Sequence, residues 1–281
     1  MSGGGAAAPA PPAGAVPELK PPPAMYQAAV AAGVAKCTQS WSTIFQLGMV
    51  AGAHIGFGSY LAVSIGAACP GLAATNPGLQ KLIFGSVGLP FGLIMVLATG
   101  GQLFTGNTAV GYAAYREGKI TGGDLAKNWI ASYGGNFVGS LVLAFLAHHS
   151  NTLAGAPAAI AVATGKCALS FPTAFVRGIL CNWLVCMAVY MAGGCSSMVG
   201  KMTAVFFPIS AFVSLGLDHS VANMFLIPLG MMRGADITIG TFLLKNLLPV
   251  TLGNIVGGTL GCMTPYGSVF GNWGNKDKKK E

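Results

Sequence analysis

Ser214-Leu215-Gly216-Leu217-Asp218-His219-Ser220 sets a carboxylate and an imidazole in the middle of an apolar run extending from 202 to 232. Earlier in the chain, Thr99-Gly100-Gly101-Gln102-Leu103-Phe104-Thr105-Gly106-Asn107-Thr108 interrupts a run from 82 to 114 with glycines, amides and hydroxyls. Both runs are too long and too interrupted for one uniform helix, because Gly and short polar side chains are poor helix interior. At membrane depth the backbone leaves a helix only where protein or a water-lined cavity satisfies its polar groups. The two stretches therefore predict interrupted membrane spans.

Four further apolar runs, 41 to 66, 123 to 149, 170 to 193 and 237 to 263, bring the expected spans to six, with the second and fifth broken. The composition agrees: of 281 residues, 53% are hydrophobic and 8% charged, with a mean hydropathy of +0.64. Soluble domains carry about 25% charged residues, so a soluble enzyme is excluded. Stretches of this length match the roughly 30 Å of hydrocarbon in a bilayer. The net charge of +8 does not indicate nucleic acid, because Lys276, Lys278, Lys279 and Lys280 crowd the C-terminus; a basic tail beside anionic lipid explains it.

The two interrupted runs belong to an internal repeat. Pro90, Leu97, Gly122, Lys127-Asn128, Gly135-Asn136, Val138 and Gly139 recur 118 residues later as Pro208, Leu215, Gly240, Lys245-Asn246, Gly253-Asn254, Val256 and Gly257. Phe45, Gly48, Tyr60 and Ala62 recur 130 residues later as Phe175, Gly178, Tyr190 and Ala192. Three spans per unit is odd, so the second copy enters the membrane from the opposite side. The expected fold is an all-α membrane protein, an inverted 3+3 repeat whose paired broken helices mark a permeation site. The expected boundaries are a disordered Ala/Pro/Gly-rich tail and lead-in over 1–40, a first three-helix repeat over 41–149, an outer connection over 150–169, a second repeat over 170–263 and a basic cytoplasmic tail over 264–281. Lys20, Lys36, Arg116, Lys119, Lys127, Lys201 and the C-terminal lysines fall on one side, against Lys81, Lys166 and Arg233 on the other. That bias places both termini in the cytoplasm; it does not choose between a plasma membrane and an organelle envelope. The seven Cys show no metal-ligand spacing and read as small buried residues.

An ionisable residue within a span is a functional candidate by default, which singles out His219 and its neighbour Asp218. A neutral imidazole there can donate a hydrogen bond to a passing anion or exchange a proton with it. Thr105 holds the matching break and its hydroxyl is placed to face His219. Leu89, Leu93, Leu103 and Phe212, with Phe104 beside them, can form apolar constrictions that exclude hydrated ions. Lys166, the basic residue of the outer connection, is a candidate to draw anions into a vestibule, and Asn182 and Asn223 are candidate supporting amides. Asp218 beside His219 is no catalytic triad, because adjacent residues cannot orient one another as base and partner. No enzyme activity, metal or cofactor is expected.

Gln102-Leu103-Phe104-Thr105-Gly106, Gly178-Ile179-Leu180-Cys181-Asn182-Trp183-Leu184-Val185-Cys186-Met187-Ala188 and Asp218-His219-Ser220-Val221-Ala222-Asn223-Met224-Phe225 resemble the formate/nitrite transporter family, over about residues 30 to 265. The resemblance implies an aquaporin-like protomer in a homopentamer, each subunit with its own pore for monovalent weak-acid anions. It makes His219 the central pore histidine, Thr105 its partner, Lys166 the vestibule lysine, Asn182 and Asn223 the supporting amides, and Leu89, Leu93, Leu103 and Phe212 the constriction. Gln102 departs from the family pattern, which has an acidic residue there. Nitrite or formate, moved with protons, is the expected substrate; bicarbonate, which algal relatives carry, is the alternative. The Ala/Pro/Gly-rich tail resembles those of the algal members. A water or glycerol channel is disfavoured because paired Asn-Pro-Ala half-helix motifs are absent.

Overall fold

Hydrogen bonds within helices satisfy a backbone that has no water partner in a bilayer, and the computed structural model is helical throughout. It describes residues 18–153 and 156–273, among which the only strand-like pairing is an isolated bridge between Leu19 and Cys195. The helices are α1 (Pro22–Cys37), α2 (Trp41–Gly66), α3 (Pro70–Thr75), α4 (Pro77–Val87), α5 (Leu89–Thr99), α6 (Phe104–Arg116), α7 (Gly122–His149), α8 (Ala156–Cys167), α9 (Phe171–Gly194), α10 (Met198–Ser214), α11 (Ser220–Met232) and α12 (Thr241–Phe270). Five stretches are long and apolar enough to cross a membrane: α2, α4 with α5, α7, α9 and α12. At 1.5 Å per residue α10 is about 26 Å long and α11 about 20 Å, each short of the hydrocarbon thickness. Between α5 and α6 the chain turns through Gly100, whose φ of 76° favours glycine; between α10 and α11 it turns through Gly216, at φ 73°.

Helix starts follow ordinary capping chemistry. Ser40 accepts from the Thr43 amide at α2, Ser170 from Thr173 at α9, and Thr121 with Asp124 forms a capping box at α7. Lipid offers no hydrophobic drive between helices, so they pack through small residues that let backbones approach. At the α2–α7 crossing a Cβ on Gly52 would lie 2.2 Å from the Asn136 carbonyl oxygen; at the α9–α12 crossing a Cβ on Gly253 would lie 2.2 Å from that of Phe175. Ile130, Phe145, Phe207 and Leu244 point outward and are largely exposed, as an apolar belt facing lipid or a neighbouring subunit requires.

Both ends of the described chain meet on one face. The Tyr26 hydroxyl of α1 donates to Glu117, in the turn after α6, at 2.9 Å, and the Asn272 amide donates to the same carboxylate at 3.0 Å. The Arg116 guanidinium lies 4.3 Å from the Trp273 ring centroid, and the Lys20 amide donates to Gly194 at the end of α9. Three expectations about boundaries need correction. Within the stretch expected to be tail and lead-in, Pro22–Cys37 is helical, because Tyr26, Ala29, Val30 and Cys37 are buried and Gly33 lets α1 approach α6. The outer connection contains α8, and α12 continues to Phe270, beyond the expected end of the last span. Residues 1–17 and 274–281, which hold most of the expected terminal tails, lie outside the described residues.

Candidate functional site

The N-terminal ends of α6 and α11 meet inside the protein, and their free amides are capped by buried side chains. His219 is the N-cap of α11: its Nδ1 accepts from the Ala222 amide at 3.0 Å. Its Nε2 lies 2.8 Å from the Thr105 hydroxyl in the first turn of α6. With Nδ1 committed as acceptor, the proton of a neutral ring sits on Nε2, which donates toward Thr105. A cationic ring would set an Nδ1 proton against the Ala222 amide proton, so this geometry belongs to the neutral form. The Phe212 ring stacks on the imidazole at 5.9 Å.

Two buried asparagines hold the ends of the breaks in matching ways. Asn136 of α7 accepts from the Phe104 amide at 2.9 Å and donates to the carbonyls of Gly48 and Gln102 at 2.8 and 2.9 Å. Asn254 of α12 accepts from the Ser220 amide at 2.8 Å and donates to the carbonyls of Gly178 and Asp218 at 2.9 and 3.1 Å. A second pair lies farther out, where Asn128 donates to the Lys36 carbonyl at 3.1 Å and Asn246 to that of Lys166 at 2.9 Å. Asn182 donates to the Thr105 carbonyl, the Thr108 hydroxyl and the Asn254 carbonyl, tying α9 to both halves. Asn223 donates to Asp218 and Asn246.

Four cavities run past these groups and share walls. Opposite the termini, a cavity of about 210 Å³ is lined by Lys166, Arg177, Asp218, Leu89, Phe212 and His219, among others. The last three also line the next cavity, of about 10 Å³, together with Leu93, Leu103, Ile55, Val185 and Ile209. Leu93 and Leu103 continue into a cavity of about 20 Å³ that also touches Lys36, and from there Lys36, Leu97, Val110 and Val189 lead to one of about 150 Å³ on the termini side. A cavity needs roughly 10–15 Å³ to hold one water, so the two middle cavities admit a stripped small solute and exclude a hydrated ion.

His219, Thr105, Leu89, Leu93, Leu103 and Phe212 are thus brought together. Phe104 is not: its ring packs edge-on against Trp129 and Tyr133 of α7, and it is absent from the lining of these cavities, because its backbone is anchored by Asn136 with the side chain turned outward. Lys166 reaches its vestibule but lies 2.9 Å from the Asp218 carboxylate, whose side chain is 1% exposed. Its charge is largely compensated, which weakens the expectation that it draws anions alone.

Sequence reasoning overlooked Lys36 and Asn136 with Asn254 as site residues, though signals existed. Lys36-Cys37 with Ser40 recurs 130 residues later as Lys166-Cys167 with Ser170, and both asparagines stand in the 118-residue repeat. Lys36 donates to the Gly101 carbonyl at 2.8 Å, and no carboxylate opposes it because Gln102 stands where the other half has Asp218. Burial draws the Lys36 ammonium down to about 8 from an ordinary lysine value of roughly 10.4. It is charged at pH 7 and loses charge as the pH on that face rises through about 8. The ratio of Lys36→Arg to wild-type anion uptake is accordingly expected to climb between pH 7 and 9, since arginine stays charged; a constant ratio in vesicle uptake would show that Lys36 plays no electrostatic part.

The fold and its row of cavities define a class, an integral multi-pass helical membrane protein with a narrow internal path. The sequence pattern of the Formate/nitrite transporter family matches residues 23–267, and the chain belongs to that family. It is 40% identical over 237 residues to a probable formate transporter of Methanothermobacter thermautotrophicus, covering 77% of this chain and 85% of the relative. It is 34% identical over 279 residues to the formate channel FocA of Escherichia coli (strain K12), covering 90% and 95%. Among solved structures, an FNT family ion channel superposes with a TM-score of 0.79 at 28% identity, covering 86% of this chain and 97% of that one. A pentameric formate channel with formate bound superposes at 0.70 and 32% identity, covering 79% and 94%.

Proposed function

We propose that the protein is a homopentameric channel for small monovalent weak-acid anions, formate or nitrite, each subunit carrying its own pore along the four cavities. The observation that carries this reading is the row itself: two wide ends, each with a lysine, joined by two near-dry apolar cavities beside the His219–Thr105 pair. Leu89, Leu93, Leu103 and Phe212 form the constriction. Asn182, Asn223 and Asp218 hold its walls. The matched contacts of Asn136 and Asn254 support an inverted 3+3 repeat, with α5 and α6 as halves of one span and α10 and α11 as halves of another. The termini face the cytoplasm in this reading, as the distribution of Lys and Arg favours.

Transport is proton-linked because a bare charge at the membrane centre costs at least about 2.5 kcal/mol, even on insertion scales. The positive vestibule concentrates the anion, a proton neutralises it, and the half-helix N-termini with the imidazole N–H and threonine hydroxyl stabilise it at the narrow point. If the imidazole itself hands over the proton, its ring must first take a proton at Nδ1 and release the Ala222 amide.

Uptake of labelled formate, nitrite and bicarbonate into proteoliposomes at external pH 5.5 and 7.5 (about these values, two units apart) tests the reading, since neutral acid falls tenfold per pH unit above the acid's pKa. Saturable formate or nitrite uptake that rises at the lower pH is expected. Uptake of bicarbonate alone would overturn the substrate, pH-independent anion current the proton linkage, and passage of glycerol without any anion the class.

A further inference from the structure

The repeat is broken at one position with an electrostatic consequence. On the termini side the Gln102 amide donates to the Leu47 carbonyl at 3.1 Å; in the other half the Asp218 amide reaches the carbonyl of Arg177, 130 residues on from Leu47, at 3.5 Å. An apolar residue on one side is a guanidinium on the other. Around the termini-side mouth, Lys36 is unopposed, with Gln102 and Leu47 neutral. At the far mouth Lys166 is opposed by Asp218 at 2.9 Å, so without Arg177 these paired positions would leave that mouth neutral.

Resting on the reading of the chain as a weak-acid anion channel, we propose that Arg177 is the residue that recruits the anion at the mouth opposite the termini, holding a planar two-oxygen anion in its guanidinium fork before the constriction. Arg177 lines the 210 Å³ cavity together with Lys166, Asp218 and His219. Its hydrogen bond is a long one, 3.4 Å from Nη1 to the Gly216 carbonyl, and the ion pairs among the described residues are Lys127–Asp124 and Lys166–Asp218. A guanidinium has five N–H donors, so most of its fork is open to the cavity. Formate and nitrite each present two oxygens in one plane, the geometry that a guanidinium grips at two points and an ammonium at one. The anion docks at Arg177 with full charge and leaves inward past Phe212 and His219.

The test is formate uptake by right-side-out membrane vesicles containing the full chain, measured against formate concentration and ionic strength. Arg177→Gln is expected to raise the half-saturating concentration at least threefold with less than twofold change in maximal rate, and to flatten the ionic-strength dependence. Arg177→Lys keeps that dependence but binds formate more weakly than wild type. An Arg177→Gln protein with wild-type half-saturation and salt dependence overturns the proposal while leaving the channel reading intact. If wild type carries neither formate nor nitrite, both fall. Should the glutamine variant fail to assemble, the lysine variant decides: wild-type half-saturation there removes the role of the fork, and a raised value with salt dependence retained supports it.

Discussion

Replacing His219 by Asn is expected to slow saturating formate uptake at least tenfold while leaving the fold intact. Asn is among the best N-cap residues, so its side chain can accept from the Ala222 amide as the imidazole Nδ1 does at 3.0 Å. What it cannot supply is the ring N–H that reaches Thr105 at 2.8 Å across the break, or the stacked surface under Phe212. A hydrogen bond to a charged group is worth about 1.5–3 kcal/mol, and about 1.4 kcal/mol is a factor of ten. Lost where charge is least tolerated, that bond lies on the barrier rather than on the resting state, so the maximal rate falls more than the half-saturating concentration changes. Stopped-flow uptake in proteoliposomes would read the difference. A maximal rate equal to wild type would remove His219 from the transport step.

Asn254→Leu is expected to destroy the assembled protein or to lower its melting temperature by on the order of ten degrees, because one amide serves three buried backbone groups. The Ser220 amide, the Gly178 carbonyl and the Asp218 carbonyl, at 2.8, 2.9 and 3.1 Å, would all lose their partner. Each stranded group costs about 1–3 kcal/mol, a large share of the roughly 5–15 kcal/mol that holds a typical domain. Asn136→Leu should do comparable damage, since it strands the Phe104 amide and the carbonyls of Gly48 and Gln102. Thermal unfolding in detergent is the measurement. Wild-type melting of either variant would mean that the breaks are held by something other than these amides.

Much of this was visible in the linear chain. Glycine, hydroxyl and charge inside apolar runs signal a backbone that must find partners within protein, which locates 99–108 and 214–220 as the functional stretches. The pairing of Thr105 with His219 also follows, because two breaks at matched positions of a repeat face one another. Phe104 was misplaced for a physical reason: it is adjacent to Leu103 and equally apolar, and its direction is set by Asn136 on another helix. Asn254 looked like a repeat marker rather than a support, because sequence similarity does not say which amide reaches which carbonyl.

Membrane class, interrupted runs and duplication follow from composition and order alone, since they express what lipid demands of any backbone and side chain entering it. Which charges remain free is a different matter. Lys166 and Lys36 occupy equivalent places in the repeat, yet only the first meets a carboxylate, and Arg177 looks like one cation among several until Asp218 is seen to oppose Lys166 at 2.9 Å. Electrostatic compensation depends on separations of a few ångströms between groups far apart in the chain, and only the packed tertiary structure sets those separations.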